Sequence, residues 1–351
     1  MSPLDIYIVH LYKTLIDVSP ESNQTIVKLH TKYLEELGDI SFPLLRKSWL
    51  SVLPASYNIE IISEEDIDNN DLNVWNLSIL RLSILKKVAD NLIKLTTSSA
   101  QHDSKKIYIG LNKKQNFPFL VVGPVMNQKG VKDTTNSAMD LINKRASDMR
   151  MMAQHRYQVN IKADSDYREY FHKLGVSSVT IELLSNKPHK PIKVMLNGSS
   201  NVNKGPSFIF YNCARISVLL KEFQRKVDQS IYTQLPNVEE IDVTLLNQPE
   251  EWEIYYGYVL QFPILIKNCI KDIEKEIFSP QNLITFLSNL SGIFSVYYRR
   301  VRILTDPREH LLPLIHARIY LIKTLHQIII SFTKLATNNA KILIVTEQRI
   351  Y

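Results

Sequence analysis

The carboxyl-terminal part of the chain, from about residue 207 onward, has the apolar spacing of long amphipathic helices. An early stripe runs from Ile209 to Leu220, and a final helix is predicted from about Glu309 to Leu335. Between them, Ser279 and Pro280 suit an N-cap and a first helical position. The stripe that follows this start contains Leu283, Leu287, Leu290, Phe294, Tyr297 and Val301. Because each stripe must be buried against another helix, this region is predicted to form a helical bundle.

The middle of the chain, from about residue 104 to 200, alternates short β-rich runs with helical patterns. Strands are predicted at 106–110, 118–124, 176–184 and 192–196, and Gly, Pro and Asn bound the first two. Helical patterns lie between them, at 136–154 and 164–174. This alternation indicates a small α/β unit.

The first hundred residues are predicted to be mainly helical. Apolar residues recur at helical spacing from Ile6 to Leu15 and again from Leu80 to Leu92. A stretch near 63–73, rich in Ser, Glu, Asp and Asn, is expected to be a loop. The predicted organisation is a helical region at 1–100, an α/β domain at 104–200 and a helical bundle at 205–351, which makes the fold class mainly α.

The cysteines and the ends of the chain favour a protein of a reducing compartment. Cys213 and Cys269 stand far apart, which indicates two buried thiols and no paired redox or zinc motif. The chain opens without a basic segment and has an early acidic residue, so we expect neither a signal peptide nor a transit peptide. No apolar run approaches the length of a membrane span. We therefore expect a soluble protein of the cytosol or nucleus, with a cytoplasmic location first, and no membrane partner.

Basic side chains are in modest excess and are unevenly distributed. The 351 residues include 42 Lys and Arg against 35 Asp and Glu, which gives a formal net charge of +7. Most of the local excess lies between Lys86 and Arg156, whereas 36–71 is acidic. An excess of this kind fits a polyanion partner such as a nucleic acid, and it also fits a solvated basic surface.

Motifs for nucleotide and metal chemistry are missing from the sequence. The nine histidines contain no pair three or four residues apart, which excludes the common His-based zinc motifs and the His-x-Gly-His motif for ATP. The nine glycines form neither G-x-G-x-x-G nor a Walker A loop. A serine or cysteine triad stays open, because its members need not be adjacent in sequence. We therefore expect no cofactor, no metal and no catalytic residue in this chain.

Three motifs in the carboxyl-terminal region resemble the DALR anticodon-binding module of class I arginyl-tRNA synthetases. The segment around Tyr211-Asn-Cys-Ala-Arg215 is similar to the synthetase's Tyr-Ala-His-Ala-Arg. The block 294–304 resembles its Phe-x-x-Phe-Tyr sequence, and Ala317-Arg-Ile-Tyr-Leu321 resembles its Ala-Arg-Leu-x-Leu. Upstream, 120–149 is similar to the end of the synthetase's nucleotide-binding fold. The resemblance implies a DALR bundle preceded by a Rossmann-like α/β remnant.

The loop that would hold the synthetase's Lys-Met-Ser-Lys-type motif departs from the family pattern. It would fall at 130–135, where Lys132 is retained but the second cation is missing. Asp133 has the wrong charge to steady a triphosphate. The resemblance therefore implies a degenerate catalytic domain.

The chain resembles more closely the DALR anticodon-binding-domain-containing protein 3 family, whose members are relatives of the synthetase without its chemistry. The shared motifs include Tyr-Asn-Cys-Ala-Arg, Gln229-Ser-Ile-Tyr232, Glu250-Glu-Trp252 and Phe262-Pro263. The resemblance covers about 105–351 and is strongest over the last 145 residues. Residues 1–100 match poorly, and the end of the chain departs from the synthetase's usual methionine ending.

What this resemblance implies is a non-catalytic adaptor. Family members recognise arginine tRNAs and work with a methyltransferase that places 3-methylcytidine in the anticodon loop. The expected partners are thus an arginine tRNA and that methyltransferase, with no DNA partner and no cofactor held by this chain. Two other interpretations stay open, an ATP-dependent arginyl-tRNA ligase and a protein-binding scaffold without affinity for RNA.

The residue types near the motifs suit an anticodon loop, whose unstacked bases are read by aromatic stacking and whose phosphates are held by Lys and Arg. At 100° per residue, three of the candidates fall off the apolar stripe, and Tyr297 falls on it and is expected in the core. The predicted tRNA-binding residues are Tyr211, Asn212, Arg215, Tyr298, Arg299, Arg302 and Arg318. A possible phosphate track contains Lys113, Lys114, Lys129, Lys132, Lys144 and Arg145.

Each candidate also has a purely structural alternative. Tyr211, Asn212 and Arg215 could tie two helices together, and Arg318 could form an ion pair inside the bundle. The lysines and Arg145 could belong to a solvated surface.

Overall fold

A computed structural model describes residues 28–29, 40–41, 59–63, 72–73, 75–96, 105–113, 117–157, 165–196 and 205–337. The amino-terminal half has short strands: β1 (Lys28–Leu29), β2 (Ile40–Ser41), β3 (Ile59–Ser63), β4 (Lys105–Gly110), β5 (Phe119–Val121), β6 (Val125–Met126) and β7 (Ile192–Lys193). Its helices are α1 (Leu77–Thr96), α2 (Ala138–Tyr157) and α3 (Ser165–Leu184).

A small parallel sheet organises this half of the molecule. β4 pairs in parallel with β3 on one side and with β5 on the other. Parallel neighbours need a crossover connection, and α1 supplies it between β3 and β4. β6 and β7 form a second parallel pair, and β1 and β2 pair in antiparallel fashion. The three-stranded sheet thus combines strands of the region predicted as α/β, 104–200, with β3, which lies before the predicted start of that region.

Several elements differ from the sequence-based predictions, and β1 and β2 are short strands within the region predicted to be helical. β3 lies in the region predicted to be helical, where the alternating burial of Ile59, Glu60 and Ile61 marks a strand. The run at 176–184, predicted as a strand, is the carboxyl-terminal half of α3. Its apolar side chains pack on two sides, with Val179 in one hydrophobic cluster and Ile181 in another. A helix buried on two sides has no polar face, so its spacing resembles that of a buried strand.

Close packing between α2 and α3 depends on a glycine in the middle of α3. A Cβ added at Gly175 would lie 2.7 Å from the carbonyl oxygen of Ile142 and 2.9 Å from the amide nitrogen of Ala146. Any larger residue would therefore force the two helices apart.

A buried arginine on α1 joins three segments of the α/β half. Arg81 is fully buried, and its guanidinium donates to the carbonyl oxygens of Gly123 and Lys190, both at 2.7 Å, and of Lys187 at 3.0 Å. Burial lowers the pKa of Arg81 to about 10. The side chain thus satisfies several backbone acceptors that the chain would otherwise bury without partners.

The carboxyl-terminal half is a helical bundle. Its helices are α4 (Pro206–Asp228), α5 (Pro249–Ile254), α6 (Gln261–Ile270), α7 (Gln281–Arg300) and α8 (Leu312–Thr337), and a π-helical turn at Tyr255–Val259 joins α5 to α6. The predicted stripe on α7 is buried from Leu283 to Tyr297, as its spacing indicates. α7 begins at Gln281, one residue after Pro280, and it ends at Arg300, so Val301 is already extended backbone.

The two halves share one hydrophobic core. A single cluster of buried side chains extends from Ile59 and Ile107 in the sheet to Phe294 and Leu325 in the bundle. Asn91 on α1 also donates its side-chain N–H to the carbonyl oxygen of Leu335 at 2.8 Å. The structure is thus mainly helical, with a small α/β part packed against a carboxyl-terminal bundle, which confirms the predicted fold class. In the part of the chain that the structure describes, none of the helices is apolar over enough residues to span a lipid bilayer.

Candidate nucleic-acid interface

The amino-terminal turns of α4 and the carboxyl-terminal turn of α7 meet in a stack of two tyrosines around an arginine. The Cζ atom of Arg215 lies 4.1 Å from the ring centroid of Tyr211 and 4.8 Å from that of Tyr298. Tyr298 is 37% exposed, and its ring packs on the buried ring of Phe294 at 5.9 Å. The stack therefore joins the two helices and also presents aromatic and cationic surface to solvent.

Two exposed arginines extend this surface, Arg299 on the last turn of α7 and Arg302 just after the helix ends. Arg299 is exposed, and its Nε donates to the carbonyl oxygen of Ser295 at 3.2 Å. The side chain of Arg302 is 77% exposed and lies 3.9 Å from the carboxylate of Asp306, which is itself 59% exposed. An ion pair this long and this open to water is weak. Arg302 can therefore exchange Asp306 for a phosphate.

The segment after α7 is held against the bundle in an extended path. The side chains of Val301 and Ile303 are buried, so Arg302 between them points outward. The hydroxyl of Tyr232, just past the end of α4, donates to the carbonyl oxygen of Thr305 at 2.5 Å. The segment thus begins at the end of α7, shortly after Tyr298, and reaches Tyr232 just past the carboxyl-terminal end of α4.

A buried ion pair supports the end of α7 from inside the bundle. The Nε of Arg318 on α8 donates to Glu251 at 2.7 Å, and the hydroxyl of Tyr297 donates to the same carboxylate oxygen at 2.9 Å. Burial and the charge of Glu251 raise the pKa of Tyr297. Arg318 also donates to the carbonyl oxygen of Arg302 at 3.4 Å. This network fixes α5, α7 and α8 relative to the extended segment.

Two of the predicted tRNA-binding residues lie inside the protein. Arg318 is 6% exposed and is occupied by Glu251, so the ion-pair alternative describes its role. Asn212 is 1% exposed, and its side-chain N–H donates to the carbonyl oxygen of Phe208, one turn earlier on α4. Because neither side chain reaches the surface, we remove both from the candidate interface. Tyr211, Arg215, Tyr298, Arg299 and Arg302 remain.

Carboxylates neutralise three of the six residues of the predicted phosphate track. Arg145 is 4% exposed and donates to Glu182 at 2.8 Å and to Asp148 at 3.2 Å. Burial opposes its charge, but these carboxylates outweigh that effect and raise the pKa of Arg145. Lys144 lies 2.6 Å from the other oxygen of Asp148. Neither residue is a free cation, so the track does not extend along α2.

The remaining lysines of the track are not all alike. Lys113 lies 2.6 Å from the carboxylate of Glu276, and Lys114 falls outside the described residues. Lys129 and Lys132 are exposed on the loop between β6 and α2. This loop is the only part of the predicted track, within the described residues, where we find lysines that no carboxylate pairs with.

The same loop shows why an aspartate stands where the synthetase pattern has a cation. Asp133 is 2% exposed, and its carboxylate accepts from Asn136 Nδ2 at 2.7 Å and from the Thr135 backbone N–H at 3.0 Å. Burial raises the pKa of Asp133, but these hydrogen bonds outweigh it and hold the pKa below its usual value. Asp133 is therefore a structural residue that closes the turn before α2.

Neither a reactive cysteine nor a cluster of metal ligands is found in the described part of the chain. Burial raises the pKa of both Cys213 and Cys269 to about 12, so neither forms a thiolate at neutral pH. Over the same residues, His, Cys, Asp and Glu form no group of three that could hold a metal ion. The surface at α4 and α7 is instead suited to binding.

Two features of this region were not recognised as functional from the sequence. Arg300 is 58% exposed but forms an ion pair with Glu250, which is almost completely buried. On the π-helical turn, Tyr256 is 55% exposed and stacks on Trp252 with the ring centroids 5.7 Å apart. The Glu-Glu-Trp motif at 250–252 is the sequence signal for both, but it does not show which of its members faces an arginine.

Comparison with known proteins agrees with this geometry. Residues 209–335 match the family model of the DALR anticodon binding domain. A Rattus norvegicus protein named DALR anticodon-binding domain-containing protein 3 is 28% identical over 214 residues, which are 60% of this chain and 40% of that protein. The protein of the same name from Danio rerio is 30% identical over 162 residues, which are 43% of this chain and 29% of that protein. The chain thus matches well under half the length of these relatives.

Among solved structures, the arginyl-tRNA synthetase of Thermus thermophilus aligns with a TM-score of 0.49 and 14% identity, over 68% of this chain and 42% of that one. The arginyl-tRNA synthetase of Plasmodium falciparum aligns with a TM-score of 0.45 and 16% identity, over 68% of this chain and 40% of that one. The family model and the curated relatives confirm the resemblance found in the sequence. Residues 209–335 are thus similar to the DALR anticodon binding domain, and the chain is related to the proteins named DALR anticodon-binding domain-containing protein 3.

Proposed function

We propose that this protein binds tRNA through the surface formed by α4, α7 and the extended segment after α7. The observation that carries the proposal is the tyrosine–arginine–tyrosine stack of Tyr211, Arg215 and Tyr298 beside the exposed Arg299 and Arg302. Aromatic rings provide stacking faces for unstacked bases, and arginines provide contacts to phosphates. The DALR match over the same helices gives the surface an anticodon loop as its natural ligand.

This surface offers two kinds of contact, one to bases and one to phosphates. Tyr298, on the last turn of α7, is partly exposed to solvent, while the guanidinium of Arg215 packs against the rings of both Tyr211 and Tyr298. Arg299 and Arg302 lie on either side of the helix end and point into water. We expect the bases to determine which tRNA is retained, and the phosphates to provide most of the affinity.

We further propose that the tRNA is an arginine tRNA and that the protein presents it, in the cytoplasm, to a methyltransferase that forms 3-methylcytidine in the anticodon loop. The resemblance of the sequence to the DALR anticodon-binding-domain-containing protein 3 family supports this, and so do the curated relatives of that name. In this division, the partner enzyme supplies S-adenosylmethionine and the methyl transfer. This chain supplies only the recognition of the substrate.

The proposed role is not catalytic. The relatives are named for an anticodon-binding domain and their names mention no reaction. The loop that corresponds to the synthetase's catalytic motif is closed by Asp133, whose negative charge would repel a triphosphate. In an ATP–pyrophosphate exchange assay with arginine, we expect no exchange above background. Robust exchange would show that the protein is a ligase.

Affinity purification of the protein from cells, followed by sequencing of the RNA that co-elutes, tests the proposed ligand. We expect arginine isoacceptors to be enriched over all other tRNAs, and the partner methyltransferase to be present in the same eluate. A broad tRNA pool would remove the arginine specificity and leave general tRNA binding. If no tRNA co-elutes, and the purified protein fails to shift tRNA in a gel, a protein-binding scaffold becomes the better interpretation.

A further inference from the structure

A cavity of about 440 Å³ lies at the carboxyl-terminal end of α4 and belongs to none of the contacts described so far. It is formed by the turn from Asp228 to Gln234 together with Leu312, the first residue of α8. Pockets for small organic groups in proteins measure roughly 300–1,000 Å³. This cavity is therefore large enough for a nucleobase with part of its sugar.

The shape of the cavity follows from how α4 ends. Ser230 adopts a left-handed backbone with φ of 57°, a conformation that favours glycine. The amide N–H groups of Ile231 and Tyr232 both donate to the carbonyl oxygen of Lys226, so the chain folds back on the last turn of the helix. This tight turn leaves the side chain of Ile231 42% exposed at the cavity.

The wall of the cavity is fixed by contacts to the rest of the bundle. The ring of Tyr232 stacks on Phe223 with centroids 5.8 Å apart, and its face carries the ammonium group of Lys226 at 4.9 Å. Thr233 lies within hydrogen-bond distance of His316, with 3.2 Å between the hydroxyl oxygen and Nε2. A preformed wall of this kind requires little ordering when a ligand enters.

A hydrogen bond connects the wall of the cavity to the extended segment of the proposed tRNA surface. Tyr232 lines the cavity and donates to Thr305, which lies in the extended segment between Arg302 and Arg308. The side chains of Arg302 and Arg308 are 77% and 67% exposed. At a rise of about 1.5 Å per residue, the cavity lies roughly 26 Å along α4 from Tyr211. One extended strand of RNA a few nucleotides long can span that distance.

We propose that this cavity binds one unstacked base of the tRNA that the stack at Tyr298 also contacts. The proposal rests on the proposed function, because it assigns a second subsite to the same ligand. Ile231 and Leu312 provide apolar contact for the faces of the base, and the side chains of Asp228 and Thr233 provide hydrogen-bonding groups for its edge. Arg302 and Arg308 hold the phosphates on either side.

Filling the cavity tests the assignment. Ile231→Trp places a larger side chain at the mouth, and Ile277→Trp is the matched control, since Ile277 is 54% exposed and lies just before α7, at the end away from Tyr298. The ligands are arginine tRNA transcripts that carry a single abasic nucleotide at each position of the anticodon loop in turn. Affinities are measured for the wild-type protein and for both variants, after thermal unfolding has shown that they fold alike.

For the wild-type protein, we expect loss of the base at one position to lower the affinity on the order of tenfold. This position is distinct from any position whose base stacks on Tyr298. The Ile231→Trp variant should bind the intact tRNA about tenfold more weakly than the wild-type protein does. In this variant, an abasic nucleotide at that same position should lower the affinity no further. Ile277→Trp should retain the wild-type pattern. If Ile231→Trp binds intact tRNA as the wild type does and gives the same abasic pattern, the cavity is not a base subsite. If the wild-type protein binds no tRNA at all, it is the proposed function that fails.

Discussion

Basic residues lie near the surface in both halves of the molecule, but carboxylates hold those on α2, whereas two arginines at the end of α7 are left available. On α2, Lys144 and Arg145 are held by Asp148, and Arg145 also by Glu182. At the end of α7, Arg299 contacts a backbone carbonyl and Arg302 has only a long, exposed contact to Asp306. The number of cations in a segment therefore says little about phosphate binding. What matters is whether carboxylates in the same fold already neutralise them.

Within the bundle, the buried Arg318 is paired with a carboxylate, and the exposed Arg302 is not firmly held. Replacing each of them should therefore give the largest difference, which we expect in the free energy of unfolding. Arg318→Ala would leave the carboxylate of Glu251 buried without its cation, so we expect the free energy of unfolding to fall by about 3–5 kcal/mol. Arg302→Ala, at an exposed position, should change it by less than about 0.5 kcal/mol. Urea denaturation of both variants measures the difference. Equal stabilities would mean that Arg318 is not a buried structural ion pair.

The exposed arginines should instead control RNA binding. Arg299→Ala combined with Arg302→Ala is expected to weaken tRNA binding on the order of tenfold and to reduce the slope of log affinity against log salt by about 1 to 2. Arg225→Ala is the matched control, because Arg225 is exposed on α4 but paired with Glu222 at 2.7 Å. Binding titrations at several salt concentrations give both quantities. An unchanged affinity and slope in the double variant would contradict the proposed surface.

Substitutions in the loop between β6 and α2 should have a smaller effect on tRNA binding. Lys129→Ala combined with Lys132→Ala removes two exposed cations and should weaken tRNA binding by about twofold to fivefold through the loss of general attraction. Lys144→Ala should have no effect, because Asp148 already neutralises that lysine. The same binding titration measures both variants. If Lys144→Ala weakens binding as much as the loop variants, pairing with a carboxylate does not decide which cations attract the tRNA.

The smallest expected effect is an increase in the affinity for tRNA. Glu250 neutralises Arg300, so Glu250→Gln should release this arginine for a phosphate and strengthen tRNA binding by about twofold to threefold. Adding Arg300→Ala should abolish the gain, since the released cation is then missing. Weaker binding in the single variant would indicate that Glu250 has a different role, such as orienting the end of α7.

The elements of the fold that could be predicted from the sequence are those with a clear local periodicity of apolar residues. The stripe from Leu283 to Tyr297 placed Tyr297 in the core and Tyr298 at the surface, because a helix fixes the direction of each side chain relative to its neighbours. The α/β order of the middle region was also visible in short runs bounded by turn residues. The strand predicted at 176–184 was wrong, because a helix buried on two sides resembles a buried strand in composition.

The availability of the site residues could not be predicted, since it depends on partners that are distant in sequence. Arg318 is paired with Glu251, which stands 67 positions away, and Arg145 with Glu182, which stands 37 positions away. No local pattern reports such pairs. The cavity beyond α4 was invisible for a related reason, because a serine in a left-handed turn leaves no sequence signature comparable to that of glycine.

Ultraviolet cross-linking of arginine tRNA to the purified protein, followed by mass spectrometry of the linked peptides, tests the central claim most directly. We expect the linked residues to lie at Tyr211, at Tyr298 and its neighbours on α7, and in the turn from Asp228 to Gln234. Cross-links confined to the α/β half, with none on α4 or α7, would contradict the claim that this bundle surface binds tRNA.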